Sequence, residues 1–175
     1  MSKTFQRASG SSATDPENKL LSHWSTRRLE AEAIRDSIVT LSGRLDPTLY
    51  GESVGSGDER RSIYVKVIRN SLSPFLTTFD APVPFATRGK RDATNVPAQS
   101  LTLLNDPNVI SWARSWALRT INDDKNRPDD LRIRQMFREA FSRDATEDEV
   151  KQSRAYLTSL QAESAQETQK LAEQE

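Results

Sequence analysis

The densest group of chemically capable side chains lies in residues 79–107, which read FDAPVPFATRGKRDATNVPAQSLTLLNDP. Guanidinium and amide groups can hold an anionic or sugar-like ligand through directed hydrogen bonds. The same residue types also cap helices and brace irregular loops, and we favour that structural role here. The candidate ligand-binding residues are Asp80, Arg88, Arg91, Asn95, Gln99 and Asn105, with Asp106 beside the last of them.

The basic run Arg88-Gly89-Lys90-Arg91 is open to several interpretations. It could bind an anion, a nucleic acid or an acidic partner, but pairing with Asp80, Asp92 or other acids is the interpretation that we favour. The chain has 25 basic and 25 acidic residues, so it lacks the basic excess typical of nucleic-acid binding. A helix-turn-helix reader is also disfavoured, because the helix that would enter the groove begins with the acidic residues 147–149. We expect no nucleic-acid partner.

Residue types exclude several kinds of active site. The chain has no cysteine, which excludes disulfides, thiolate metal sites, c-type haem attachment and a cysteine nucleophile within it. The single histidine, His23, lies beside Trp24 and is typical of surface or packing rather than of a base or metal ligand. Asp123 and Asp124 lie in a polar turn, where carboxylates are solvated. The sequence therefore predicts no catalytic residue, no metal and no cofactor.

Composition suggests a folded middle with disordered ends. Only 35% of the 175 residues are hydrophobic, 29% are charged, and the mean hydropathy is -0.71, which is polar for a fully folded chain. We predict a flexible arm over residues 1–14, a helical domain over 15–162 and a frayed polar tail over 163–175. No apolar run approaches the roughly 20 residues of a membrane span. The first residues lack a signal-peptide core, which indicates a cytoplasmic chain as written and leaves the true compartment open.

Apolar periodicity predicts a mainly α fold: a small domain of about five to six helices, an extended proline-rich central segment, and at most one or two short strands. Asp15-Pro16 is typical of the start of a short helix. RRLEAEAIRDSIVTLSG predicts the next helix, capped by Ser25 or Thr26 and ended by Gly43. Its apolar stripe should face the core, with Arg35 among the charged residues on the solvated face. The stripe comprises Leu29, Ala33, Ile34, Ile38 and Leu41.

The middle of the chain is predicted to be less regular. Residues 44–60 are rich in glycine and serine and are interpreted as a linker, with a lid as the alternative. Residues 61–68 are the best strand candidate, and the strand either pairs with a segment outside the chain or lies extended against the helices. Prolines keep residues 73–86 irregular. Phenylalanines should anchor that stretch to the core.

Four further helices are predicted after residue 94. Thr94 or Asn95 should cap the first, Asn105 or Asp106 the second, and Asp129 or Asp130 the third. Thr146 and Glu149 form a capping box at the start of the last helix. A tryptophan pair, Trp112 and Trp116, is typical of a core or an interface.

Three segments resemble a known family. They are RRSIYVKVIRNSLSPFLTTFDAP, TNVPAQSLTLLNDPNVISWA and LRIRQMFREAFSRDATEDEVKQSRAYL, and RRLEAEAIRDSIVTLSGRLD resembles the segment that enters the same domain. The chain is similar, over about residues 15–162, to the C-terminal domain of unknown function 1553, of the PSD-one C-terminal type, in large planctomycete proteins. These proteins often carry a cytochrome-c-like domain with a CxxCH motif upstream and are usually exported. The resemblance thus implies that the chain is a C-terminal piece of a longer protein.

The family has no assigned activity that can be carried to particular residues. We therefore expect a non-catalytic interaction or scaffold domain of a larger exported protein, whose partners are its other domains or a separate protein. The alternative is a subdomain of an enzyme or ligand-binding protein, whose site is completed by upstream domains. Convergence of Arg88, Arg91, Asn95 and Gln99 in a concave pocket would favour that alternative. Bonding to nearby backbone would favour an architectural role.

Overall fold

The computed structural model describes residues 15–21, 27–85, 87 and 89–172. Six α-helices lie within these ranges: α1 (Ala31–Ser42), α2 (Pro74–Thr78), α3 (Pro97–Asn105), α4 (Pro107–Asp123), α5 (Asp129–Phe141) and α6 (Glu147–Ala172). A 3₁₀ turn covers Ser62–Tyr64. The mainly α prediction is therefore confirmed. None of the helices in the described ranges is long and apolar enough to cross a membrane.

Helix α1 is the element on which the others assemble. It packs against α4, α2, the 3₁₀ turn and α5, whereas α6 packs against α5. The main core joins α1, α2 and α4 with Val65. A small second core lies between α5 and α6, where Ile133, Ala145 and Val150 are buried against Phe137. The main core consists of Ala31, Val39, Val65, Phe75, Leu76, Phe79, Val109 and Trp112.

Several helix boundaries follow from local sequence signals. Gly43 ends α1 in the left-handed conformation at φ 75°, as predicted. Pro107 begins α4, and the Asp106 carboxylate accepts hydrogen bonds from the backbone N–H groups of residues 108 and 109. The capping box of α6 is confirmed, since Thr146 N–H donates to Glu149 Oε2 at 2.8 Å and Glu149 N–H donates to Thr146 Oγ1 at 3.3 Å.

Other boundaries differ from the sequence predictions. Residues 15–21 form turns rather than a helix, because the Asp15 carboxylate accepts from the backbone of Lys19 and Leu20 and closes a turn. Helix α1 begins only at Ala31; Ser25 and Thr26 lie outside the described residues, as do His23 and Trp24. Helix α3 is preceded by Val96 rather than by Thr94 or Asn95, and helix α5 is preceded by Pro128 rather than by an aspartate. Helix α6 is continuous to Ala172, beyond residue 162, and the division of the chain into domain and tail stays a prediction.

The inward face of α1 is the predicted one only in part: Ile34 and Ile38 pack half-buried against the core, but the most buried residues lie beside them. Ala31, Arg35 and Val39 are buried at i, i+4 and i+8, and Arg35 is only 1% exposed. The prediction that Arg35 is solvated is wrong. Its guanidinium lies over the Trp112 ring, 5.5 Å from the centroid, and its N–H groups donate to the loop that follows α1. A buried guanidinium is retained because these acceptors satisfy its donors.

Two arginines hold residues 44–60, the predicted linker, against the helices. Arg35 donates to the carbonyl oxygens of Ser56 at 3.3 Å, of Arg60 at 2.9 Å and of Asp58, and to Ser62 Oγ at 3.2 Å. Burial lowers the pKa of Arg35, and the nearby Asp36 and Asp58 carboxylates oppose that shift. The loop is therefore a fixed part of the domain.

Arg60 fixes the outer part of the same loop. It donates to the carbonyl oxygens of Glu52 at 2.8 Å, of Thr48 at 3.0 Å and of Tyr50. Its guanidinium lies 3.9 Å from the Tyr64 ring centroid. Carbonyls that would otherwise lack partners in a loop are thus satisfied by side chains.

Residues 61–68 are not a strand. The 3₁₀ turn interrupts the segment, and Ser62 is held by Asp36, whose Oδ1 accepts from Ser62 N–H at 2.7 Å and from Ser62 Oγ at 2.6 Å. Beyond the turn, Val65 makes an isolated parallel bridge with Val54, through bonds of 2.9 Å and 2.8 Å. The β-branched residues favoured a strand, but tertiary contacts with α1 override this propensity.

Residues 73–86 are only partly irregular. Ser73 Oγ accepts from Leu76 N–H and caps the short helix α2, with Pro74 at its first position. Phe75 and Phe79 are buried with ring centroids 4.9 Å apart, whereas Phe85 is exposed. Two of the three phenylalanines therefore anchor the segment to the core, as predicted.

Candidate functional site

Gln99 is the most buried of the candidate site residues that the structure describes, at 3% exposed. Its Nε2 donates to the Thr78 carbonyl oxygen at 3.0 Å and to Thr94 Oγ1 at 3.2 Å. Its Oε1 accepts from Arg28 Nη2 at 2.7 Å and from Val96 N–H at 3.4 Å. Gln99 thus joins the end of α2, the segment that leads into α1 and the approach to α3 within residues 79–107, which we call the central span.

Asp80 lies in the turn that follows α2, and its N–H donates to the Thr77 carbonyl oxygen at 3.2 Å. Its backbone is left-handed at φ 66°, a conformation that aspartate adopts more readily than most residues. The carboxylate Oδ2 accepts from Thr94 N–H at 2.7 Å, and Thr94 Oγ1 lies 2.9 Å from Oδ1. These bonds clasp the two ends of residues 80–94 together.

Arg91 connects the central span to the start of α1. Its Nη1 lies 2.7 Å from Glu32 Oε2 and 3.1 Å from Glu30 Oε2. The hydrogen bond with Glu32 raises the pKa of Arg91 although partial burial opposes it. Because both bonds are largely solvent-exposed, they position the span more than they stabilise it.

The remaining candidates are placed elsewhere. Asn105 is exposed and donates from Nδ2 to the Leu101 carbonyl oxygen of its own helix at 2.9 Å. Asn95 is exposed in the approach to α3. Arg88 lies outside the described residues. Asp80 and Arg91 line one cleft, and the assignment of all six residues to ligand binding stays a prediction.

That cleft has a volume of about 630 Å³ and lies between the segment entering α1 and the central span. A neighbouring hollow of about 350 Å³ shares Asp80, Lys90, Arg91 and Asp92 with it. Leu29 and Phe79 contribute apolar atoms to the wall of the main cleft. The main cleft is lined by Arg27, Arg28, Leu29, Glu30, Ala31, Phe79, Asp80, Lys90, Arg91, Asp92 and Ala93.

Sequence reasoning missed Arg27 and Arg28 as cleft residues. It placed both on the solvated face of a helix that was expected to begin near them, but α1 begins at Ala31 and the two arginines precede it. The available signal was the adjacent pair of basic residues, which formed a second basic group distant in sequence from Lys90 and Arg91.

A second polar cluster joins α4 to α5. Glu139 Oε2 accepts from Trp116 Nε1 at 2.9 Å and from Arg119 Nη2 at 2.8 Å, and Oε1 accepts from Gln135 Nε2 at 2.9 Å. Burial tends to raise the pKa of Glu139, but the hydrogen bonds from Gln135 and Trp116 and the charge of Arg119 together lower it. Both carboxylate oxygens are engaged, which is typical of a structural carboxylate rather than of a general base.

The fold and the cleft define a small helical domain whose central span is braced by its own polar side chains. Within the described ranges no group of three or more His, Cys, Asp and Glu residues could hold a metal ion. The model of the PSD1 family, described as protein of unknown function (DUF1553), matches residues 1–157, and the chain belongs to this family. No curated protein and no solved structure matches it.

Proposed function

We propose that this chain is a non-catalytic interaction or scaffold domain, which binds another domain of a larger exported protein. The observation that carries the proposal is the polarity of α3. On the inner side of α3, Gln99 is buried and Thr102 is half-buried, whereas Leu101 and Leu104 are 58% and 71% exposed. A helix normally buries its apolar side, so α3 is reversed relative to a solvated surface helix.

Helix α4, which packs against α3, also exposes apolar side chains. Ile110, Leu118 and Ile121 are exposed on α4, while Val109 and Trp112 of the same helix are buried. Exposed apolar faces of this kind mark sites of contact with other proteins or domains. Apolar composition is typical of permanent interfaces, which favours another domain of the same polypeptide over a transient partner.

The test uses the double variant Leu101→Lys/Leu104→Lys, because both side chains are exposed and can be changed with little effect on the core. Its binding to the upstream domains of a family protein, supplied as a separate polypeptide, would be measured by isothermal titration calorimetry. We expect the unsubstituted chain to bind, and the double variant to lose at least about tenfold in affinity, which corresponds to about 1.4 kcal/mol.

Leu131→Lys is the matched control, since Leu131 is also exposed but lies on α5. It should bind as the unsubstituted chain does, and all three chains should unfold at the same temperature. Equal affinities for the double variant and the control would contradict the assignment of the α3 face. Sedimentation analysis of the chain alone would show whether the same face instead joins two copies.

A second candidate function, part of a ligand-binding or enzymatic site completed by further domains, is favoured by the cleft. Its volume is within the range of about 300–1,000 Å³ typical of small-molecule sites. Binding of a ligand there in the absence of any further domain would separate this function from scaffolding.

A further inference from the structure

We infer that the cleft lined by residues 27–31, 79–80 and 90–93 binds a small organic anion, whose carboxylate or phosphate group is held by Arg28 and Lys90. This inference develops the second candidate function and does not depend on the scaffold role. The basic and acidic residues that line the cleft are nearly equal in number. Four basic residues and three acidic ones line the cleft, and Glu32 bonds to Arg91 from outside the lining. The formal charge of the lining therefore favours neither an anionic nor a cationic ligand.

The charge of the ligand is decided by which hydrogen-bonding groups of the cleft are still available to bind it. Two of the acidic side chains have partners that the structure identifies: Glu30 with Arg91, and Asp80 with the backbone and hydroxyl of Thr94. The third, Asp92, also has an interaction partner, as does the basic Arg27. Arg91 is likewise engaged by two glutamates. A ligand that leaves these bonds intact cannot take its main contacts from them.

Arg28 and Lys90 are different. The hydrogen bond that the structure gives Arg28 goes to Gln99 Oε1, an uncharged amide oxygen, at 2.7 Å, and among the described residues Arg28 forms no ion pair with a carboxylate. Lys90 has neither a hydrogen bond nor an ion pair within the described ranges, and it lines both the cleft and the neighbouring hollow. The unused groups are thus donors on cationic side chains, which are complementary to carboxylate and phosphate oxygens.

Apolar side chains in the lining determine the rest of the ligand class. Leu29, which is 58% exposed, contributes to the cleft, and an apolar or aromatic body attached to the anionic group would cover it. Gln99 holds Arg28 in position, because the Gln99 amide nitrogen Nε2 is itself bound to the Thr78 carbonyl oxygen. The cleft therefore fits an organic anion better than an inorganic one.

The experiment is an NMR titration of the full-length chain, labelled with ¹⁵N, with phenyl phosphate, benzoate, inorganic phosphate and benzylammonium. We expect saturable shifts at residues 27–31, 79–80 and 90–93 with phenyl phosphate or benzoate below about 10 mM, and weaker binding of inorganic phosphate. Binding by only one of the two aromatic anions would identify its group as phosphate or carboxylate. Affinity should fall with added salt, since the two cations are exposed.

Lys90→Gln and Arg28→Gln should each weaken anion binding by about fivefold, as expected for a contact of about 1 kcal/mol on an exposed site. Arg114→Gln, on an exposed arginine of α4 outside the cleft, is the control and should bind normally. Lys90→Gln removes no contact of the described fold, so it tests the site even if Arg28→Gln misfolds. The inference is overturned if no anion saturates, if benzylammonium binds equally well, or if Lys90→Gln binds like the control.

Discussion

Arg35→Met is the substitution that most directly tests how this domain is held together. It removes a buried guanidinium that donates to three loop carbonyls and to Ser62 Oγ. A hydrogen bond to a charged group contributes about 1.5–3 kcal/mol, but such bonds are not additive, and the cost of burying the charge is recovered on substitution. Leaving the carbonyls without partners should lower the free energy of unfolding by about 3–5 kcal/mol in total.

The assay is urea unfolding followed by circular dichroism, with hydrogen exchange to locate the effect. For a chain of this size, 3–5 kcal/mol corresponds to a fall in Tm of about 6–20 °C. Exchange should accelerate first in residues 48–62. Arg114→Met, at an exposed arginine, should change the free energy of unfolding by less than about 0.5 kcal/mol.

Arg35→Lys adds a second comparison. It keeps the charge but replaces the planar fork with a single ammonium, so its stability should lie between those of Arg35→Met and the unsubstituted chain. If Arg35→Met unfolded at the same urea concentration as the unsubstituted chain, the guanidinium would not organise the loop. The loop would then be held by the core contacts of Val65 alone.

Three further predictions concern the loop, the last helix and a helix end. Arg60→Met should increase proteolysis within residues 48–54, because the loop carbonyls lose their donors; unchanged cleavage would contradict this. The hydrogen bonds of Arg143 and of the Thr146 backbone lower the pKa of Glu149 to about 2, so its stabilising effect is complete above the unfolded value of about 4.3 and is lost as the pH falls through about 2. A carboxyl-carbon NMR titration should give that midpoint, and Arg143→Gln should move it upward; a midpoint near 4.3 in the unsubstituted chain would refute the pairing. Gly43→Ala should cost about 1–2 kcal/mol in chemical unfolding, since φ is +75° and a Cβ would lie 3.3 Å from Arg119 Cδ, whereas Gly55→Ala, which meets nothing within 4 Å, should be neutral or stabilising; equal effects would contradict the strain argument.

Local signals in the sequence predicted most helices but placed some of their starts wrongly. Pro97, Pro107 and the Thr146–Glu149 box act within one turn, so adjacent residues suffice to predict them. The start of α1 was placed too early, and residues 61–68 were given the wrong conformation. In both cases the structure depends on partners far along the chain, as in the bonds between Asp36 and Ser62.

The candidate site was predicted only in part, for a related reason. Asp80 and Arg91 do line a cleft, but its opposite wall comes from residues 27–31, about fifty residues earlier. Gln99 was identified as a candidate by its residue type, whereas its burial and its bonds to Thr78 and Arg28 depend on how α2 and α3 meet. A single sequence does not report which distant segments become neighbours.

The sequence by itself determined the helical class, the caps at Gly43, Asp106 and Thr146, the absence of cysteine chemistry and the family. These properties depend on composition and on spacings within a few residues, which periodicity and capping rules describe. Only the tertiary structure decided that Arg35 is buried, that α3 exposes its leucines, and that Arg28 faces the same cleft as Lys90. Burial is a property of packed surfaces: a buried arginine is stable only where carbonyl groups from another segment satisfy its donors, and those groups are brought to it by the fold.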